Sequence, residues 1–206
     1  EEGSSRQGDG EGGALIAAQR TEPGRLGGAV AARLRRGEEA AVVAMGPEAA
    51  YAALRGLALA GEFLRAERGG EEVAVSAQRA SGEGQDGTEL FSIRLRARLL
   101  AREPGALQEL DVQVARGTNV GKAASFVAKS LAEGGPRPAL RGMGPPAVGQ
   151  ALKAAIVASK FAERDSGAEL VFCPRLDKAF EQGEGGLGRR RSVTVVLRCR
   201  LLARSE

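Results

Sequence analysis

The sequence predicts an α+β protein of two tandem β-α-β-α-β-β domains, each a four-stranded sheet with two helices on one face. Three observations predict it. The first is internal repetition. Met45-Gly46-Pro47 recurs as Met143-Gly144-Pro145. At the same spacing Leu54-Arg55 matches Leu152-Lys153, Phe63 matches Phe161 and Val73 matches Val171. Leu95 to Arg102 matches Leu197 to Arg204, and Arg20 matches Arg116. The second is periodicity: short alternating stretches and longer helical stretches follow each other in the same order in both copies. The third is size. A chain of 206 residues, 43% hydrophobic and 27% charged, has the composition of a globular protein and the length for two small cores.

The elements of the second copy read in order. Leu110 to Val114 alternates apolar and polar residues and predicts a half-buried strand. Thr118 and Asn119 are N-cap candidates for a helix over 120–133, which Gly134-Gly135-Pro136 ends. A short strand covers 138–141. Gly142 to Pro146 turns the chain, and the proline suits the first turn of a helix over 146–163. Val148, Leu152, Ala155, Ile156 and Ser159 keep helical spacing there. Strands follow at 169–173 and 192–202, joined across a long loop over 175–191 into a hairpin. The first copy gives strand 15–18, helix 26–36, strand 40–44, helix 48–66, strand 71–77 and strand 89–100. Its hairpin loop covers 78–88. Residues 1–13 are glycine, serine and charged or polar residues with no core to join, and read as flexible. The domain boundaries are then 14–102 and 110–206, with a linker at 103–109.

Composition narrows the function. The chain has no histidine, which excludes a histidine triad, a histidine general base and a histidine metal site. Two cysteines alone make no structural zinc site. Both sit in apolar strand-like surroundings, so buried reduced thiols are favoured over a disulfide. That points to a reducing intracellular compartment, with plastid and mitochondrion among the options. The first residue is glutamate, which fits a processed protein or a fragment. No apolar run is long enough to cross a membrane. With 3% aromatic residues, a base-stacking platform is not expected. Gly117-Thr118-Asn119-Val120-Gly121-Lys122-Ala123 fails as a phosphate-binding P-loop. It has one residue too few between the glycines and alanine where serine or threonine is needed. Glu163, Asp165 and Glu169 show no partner for acid–base work. The expectation is a binding protein, not an enzyme, with no cofactor.

Arg141-Gly142-Met143-Gly144-Pro145-Pro146-Ala147-Val148-Gly149-Gln150-Ala151-Leu152 and Glu169 to Pro174 resemble the central turn, second helix and following strand of the bacterial stage V sporulation protein S family. That family is similar to the Alba superfamily. Arg189-Arg190-Arg191 and the strand after it resemble the basic hairpin of Alba proteins. The resemblance covers nearly all of the second copy and, more weakly, the first. It implies nucleic-acid binding by a dimer whose hairpins reach along the duplex, so two fused copies would act as a pseudo-dimer. The paired lysines often found after the first strand of Alba proteins are absent. Only Arg116 and Lys122 take their place.

Charge separates the two copies. Residues 1–103 carry 14 Arg against 16 acidic residues, and residues 104–206 carry 16 basic against 10 acidic residues. The net charges are −2 and +6, which give the chain's +4. Because phosphate binding is mainly electrostatic, the second domain is the expected nucleic-acid surface. Its candidate residues are Arg116, Lys122, Arg141, Arg189, Arg190 and Arg191. DNA and RNA both remain open. Arg96, Arg98, Arg198 and Arg200 alternate on the last strands and read as structural or interface residues. The alternative function is a non-catalytic scaffold subunit of a large assembly, with protein partners docking through the first domain.

Overall fold

Both halves of the chain fold with the same element order. The structure is a computed structural model, and it describes residues 13–83, 89–103, 108–181 and 190–203. The first half holds β1 (Leu15–Ala17), α1 (Pro23–Arg35), β2 (Ala40–Met45), α2 (Gly46–Arg65), β3 (Glu71–Glu83) and β4 (Glu89–Ala101). The second holds β5 (Glu109–Val114), α3 (Val120–Ala132), β6 (Arg137–Met143), α4 (Gly144–Ser166), β7 (Glu169–Glu181) and β8 (Arg190–Leu202). The expected flexible 1–12 segment and the centre of the expected linker, 104–107, lie outside the described residues.

Local chemistry sets the element boundaries. Gly46 and Gly144 open α2 and α4 with φ of +83° and +74°. Side chains rarely accept that conformation, so glycine makes the sharp strand-to-helix turn, and the proline after it is preset for the first helical turn. Asn119 caps α3 by accepting a hydrogen bond from the Lys122 amide at 3.0 Å. Gly167 stops α4 in the left-handed conformation, donating to the Glu163 carbonyl at 2.9 Å.

The two expected four-stranded sheets are joined in one eight-stranded sheet, ordered β1-β2-β4-β3-β7-β8-β6-β5. The junction is a single antiparallel pair, Val75 with Phe172. Val75 also pairs with Ala97 of β4, and Phe172 with Cys199 of β8. Ala97 and Cys199 are matching residues of the two repeats, so Val75 and Phe172 are equivalents that meet on a pseudo-twofold axis. This corrects the sequence match of Val73 with Val171. In the ladder Val73 pairs with Leu99 and Leu170 pairs with Leu201, which makes Val73 and Leu170 the equivalents. A slip of one residue puts Val171 on the opposite face of the sheet from Val73. Arg20 and Arg116 are also one residue out of step. Thr21 Oγ1 accepts from the Ala18 amide and Thr118 Oγ1 from the Ala115 amide, both at 2.8 Å, so Arg116 is the equivalent of Gln19.

The hairpin strands are longer than expected. Segments 78–83 and 175–181, read as loop, continue the ladders. Their polar residues give no core-facing alternation, and the cross-strand backbone bonds hold them without it. Pro174 is tolerated because it lies past the single β3–β7 pair, where one edge of β7 has no partner strand.

One apolar core runs under both halves. Val30, Leu34, Leu54, Leu57 and Leu95 of the first half and Leu140, Leu152, Phe172 and Leu197 of the second belong to one buried cluster between the helices and the sheet. α2 packs on β7 as well as on its own strands. The other face of the sheet is open and carries a small cluster of Ala74, Val171 and Cys173 at the junction, edged by Leu100 and Leu202. Three ion pairs cross the junction on that face. Arg98 Nη2 lies 2.5 Å from Glu169 Oε2, Arg198 Nη2 lies 2.6 Å from Glu72 Oε2, and Arg200 Nη1 lies 3.1 Å from Glu72 Oε1. Arg98 and Arg200 are pseudo-symmetric equivalents, as are Glu72 and Glu169. The alternating arginines therefore clamp the two halves together, and only Arg96 of the four stays exposed.

Candidate nucleic-acid interface

The second repeat gathers several cations at one end of its sheet. β5 runs parallel to β6, β6 antiparallel to β8, and β8 antiparallel to β7. The carboxyl ends of β5 and β6 therefore share an end with the β7–β8 turn. The amino ends of α3 and α4 lie there too, because each helix directly follows one of those strands. Arg116 sits in the turn after β5, Lys122 in the first turn of α3, and Arg190 and Arg191 begin β8.

Each predicted residue has a distinct placement. Arg116 is exposed. Its turn is fixed by the Ala115–Thr118 bond and by Gln150 Nε2, which donates to the Arg116 carbonyl at 3.0 Å. Lys122 is exposed, while its backbone serves the Asn119 cap. Arg189 lies outside the described residues, and the side chains of Arg190 and Arg191 do too.

Arg141 has two carboxylate partners. Its Nε lies 2.7 Å from Asp111 Oδ1, and its Nη1 donates to Asp177 Oδ2. Hydrogen bonding to Asp111, and then to Asp177, pushes the guanidinium pKa above its ordinary value against the cost of burial. Its charge is matched inside the fold, and it ties β6 to β5 and β7. Charge near this end is thus lower than the residue sum of the second half suggests.

The sequence reading missed two cations on the open face. Arg94 is exposed on β4, two residues before Arg96. The alternation Arg94-Arg96-Arg98 was the available signal. Arg175 is exposed on β7, with Nη1 4.0 Å from Glu109 Oε1.

The thiols offer no chemistry. Cys173 and Cys199 are free and buried, as expected from their strand contexts. Burial pushes each pKa up to about 12, so neither forms a thiolate near neutral pH. Among the described residues no cluster of three or more potential metal ligands occurs, and no helix is long and apolar enough to cross a membrane.

No curated protein matches the sequence. The sequence resemblance was read as stronger in the second repeat, and the family match falls on the first. It spans β1 to the middle of β3 and leaves Arg116, Lys122 and the run at 189–191 outside. Residues 14–79 match the model of the stage V sporulation protein S (SpoVS) family, whose fold is Alba-like.

Proposed function

We propose that the chain is a non-catalytic nucleic-acid-binding protein that acts as an intramolecular pseudo-dimer, with the second half as its primary contact surface. The observation that carries this reading is the convergence of Arg116, Lys122 and the start of β8 on one end of the second sheet. The pseudo-twofold supports it as well, because two hairpins then leave one rigid core. β3 and β7 continue eight and nine residues past the Val75–Phe172 pair. At about 3.3 Å per residue each arm reaches on the order of 30 Å, enough to follow a duplex groove. Contact through guanidinium and ammonium groups makes affinity phosphate-dominated, salt-dependent and weakly sequence-specific. With few aromatic residues to stack on, duplex or structured RNA is preferred to an extended single strand.

Fluorescence anisotropy with a 20-base-pair duplex at two salt concentrations tests this. Binding should weaken steeply with salt, and Arg189→Glu with Arg190→Glu should weaken it at least tenfold. Affinity that ignores both salt and the double substitution overturns the reading. The scaffold alternative draws on one observation. Ile16 is 73% exposed on the three-residue edge strand β1, which fits a protein partner on the first half. Co-migration of the native protein with a large particle that survives nuclease would favour that alternative.

A further inference from the structure

The pseudo-twofold exposes a vacancy. In α2, Tyr51 is partly buried against the core, and the Arg55 guanidinium lies over its ring, 5.4 Å from the centroid. The matching residues of α4 are Gly149 and Lys153. The helix register is secure, since Gly46 matches Gly144 in both position and backbone conformation, and Leu54 matches Leu152 in full burial. The second repeat therefore keeps the cation and lacks the ring.

A cavity of about 280 Å³ lies at that position, between the two halves. Gly46, Pro47, Ile93, Arg116, Gly149 and Lys153 are among its lining residues. Its wall is mainly apolar, from the prolines, the isoleucine and the glycine Cα atoms. Arg116 and Lys153 supply positive charge, and Gln150 holds the Arg116 backbone in place. The volume lies at the lower limit for small-molecule sites. It takes one ring with a short substituent and is too small for a dinucleotide. A ring beside Lys153 would receive the cation as Tyr51 receives Arg55. An anionic substituent would meet Arg116.

We propose that this cavity binds a small monocyclic aromatic anion, whose ring takes the place that Tyr51 fills in the other half. The proposal does not depend on nucleic-acid binding. A phenol bearing a carboxylate is the minimal probe, since it combines the missing side chain with the charge that Arg116 selects.

The test is a titration of the isotope-labelled full chain with 4-hydroxyphenylacetate, followed by amide NMR shifts. Saturable shifts are expected at Gly46, Ile93 and Gly149. A ligand of this size should show a dissociation constant of a few millimolar or tighter, on the order of −0.3 kcal/mol per heavy atom. Cyclohexylacetate, which keeps the charge and lacks the aromatic ring, and 4-methylphenol, which keeps the ring and lacks the charge, should each bind at least fivefold more weakly. Gly149→Tyr should abolish the shifts by filling the cavity. A Cβ there meets only the Pro47 Cβ, at an ordinary 3.6 Å, so the backbone has room for a side chain. Lys153→Glu, at an exposed helical position, should weaken binding at least tenfold and serves even if the tyrosine variant fails to fold. Absence of saturable shifts at ten times the expected constant overturns the proposal. So does unchanged binding in Lys153→Glu, or equal binding of cyclohexylacetate.

Discussion

The two repeats share a fold and differ in what they do with charge. At the start of the first helix the contrast lies in two positions. The first half has Gln19 and a glutamate N-cap residue, Glu22, whose Oε2 lies 3.2 Å from Arg25 Nε. The second half has Arg116 and a neutral cap, Asn119, so the equivalent cation, Lys122, keeps no carboxylate partner among the described residues. On the strands the contrast reverses. Arg141 of the second half is held by two aspartates, while Arg94 and Arg96 of the first half stand exposed. Net charge per repeat is therefore a poor guide to displayed charge. What decides is whether a carboxylate lies one strand or one helical turn away.

The largest expected effects lie on the pseudo-twofold itself. Val75 and Phe172 are equivalents, and both are fully buried. Phe172→Ala removes a ring from the shared core and should cost about 4 kcal/mol, whereas Val75→Ala should cost roughly 2 kcal/mol. Urea unfolding measures both. Equal losses would show that the junction is packed more symmetrically than its residues imply.

The clamp on the open face comes next. Glu72 is 12% exposed and serves Arg198 and Arg200, the latter 4% exposed, while its equivalent Glu169 serves Arg98, which is 32% exposed. Glu72→Ala leaves a buried guanidinium without its nearest carboxylate and should cost about 3 kcal/mol. Glu169→Ala breaks a more hydrated pair and should cost under about 1 kcal/mol. The same unfolding assay compares them, and a larger loss for Glu169→Ala would invert the asymmetry.

Transplanting the helix-start residues sharpens the functional contrast. Arg116→Gln with Asn119→Glu gives the second half the first half's arrangement, with Lys122 now facing a glutamate. Duplex affinity should fall about tenfold, and the slope of log affinity against log salt should flatten by about two. Gln19→Arg with Glu22→Asn makes the reverse exchange and should strengthen binding modestly. Anisotropy reads both. Loss of affinity in the reverse exchange would place the contact surface elsewhere.

These contrasts were legible in the sequence to different depths. The order of elements was readable because glycine, proline and asparagine mark each boundary through local backbone geometry. The Asn119 cap was named before its partner was seen. The union of the two sheets was not readable. Val75 and Phe172 look like any inward strand residues, and a single backbone pair leaves no periodic trace. Hairpin length was underestimated for a related reason, since polar residues in a ladder beyond the core do not alternate by burial. Arg141 was taken for a surface cation because Asp111 and Asp177 are distant along the chain and adjacent only after β5, β6 and β7 assemble. Tyr51 and Gly149 were in plain view, but their difference acquires meaning only once the axis relates them.

The smallest expected effect concerns acid. In the first half, Glu67 bridges two helices through Arg35, with Oε1 2.7 Å from Nη2 and Oε2 2.8 Å from Nε. Its counterpart Asp165 pairs with the adjacent Arg164, Oδ1 to Nε at 2.6 Å. In each case hydrogen bonding to the arginine holds the carboxyl below its ordinary pKa. A carboxylate with a depressed folded pKa adds stability above its unfolded pKa and loses it as pH falls through the folded value. The neighbouring Arg164–Asp165 pair also forms in the unfolded chain, so its contribution to folding nearly cancels. The long-range Arg35–Glu67 pair does not survive unfolding. Glu67→Gln should therefore be less stable than the wild type at pH 7, and the two should converge as pH falls below about 4, under the ordinary glutamate range. Asp165→Asn should track the wild type throughout. Urea midpoints at pH 7 and pH 3 decide it. A gap between wild type and Glu67→Gln that widens in acid would mean that this ion pair opposes folding instead of supporting it.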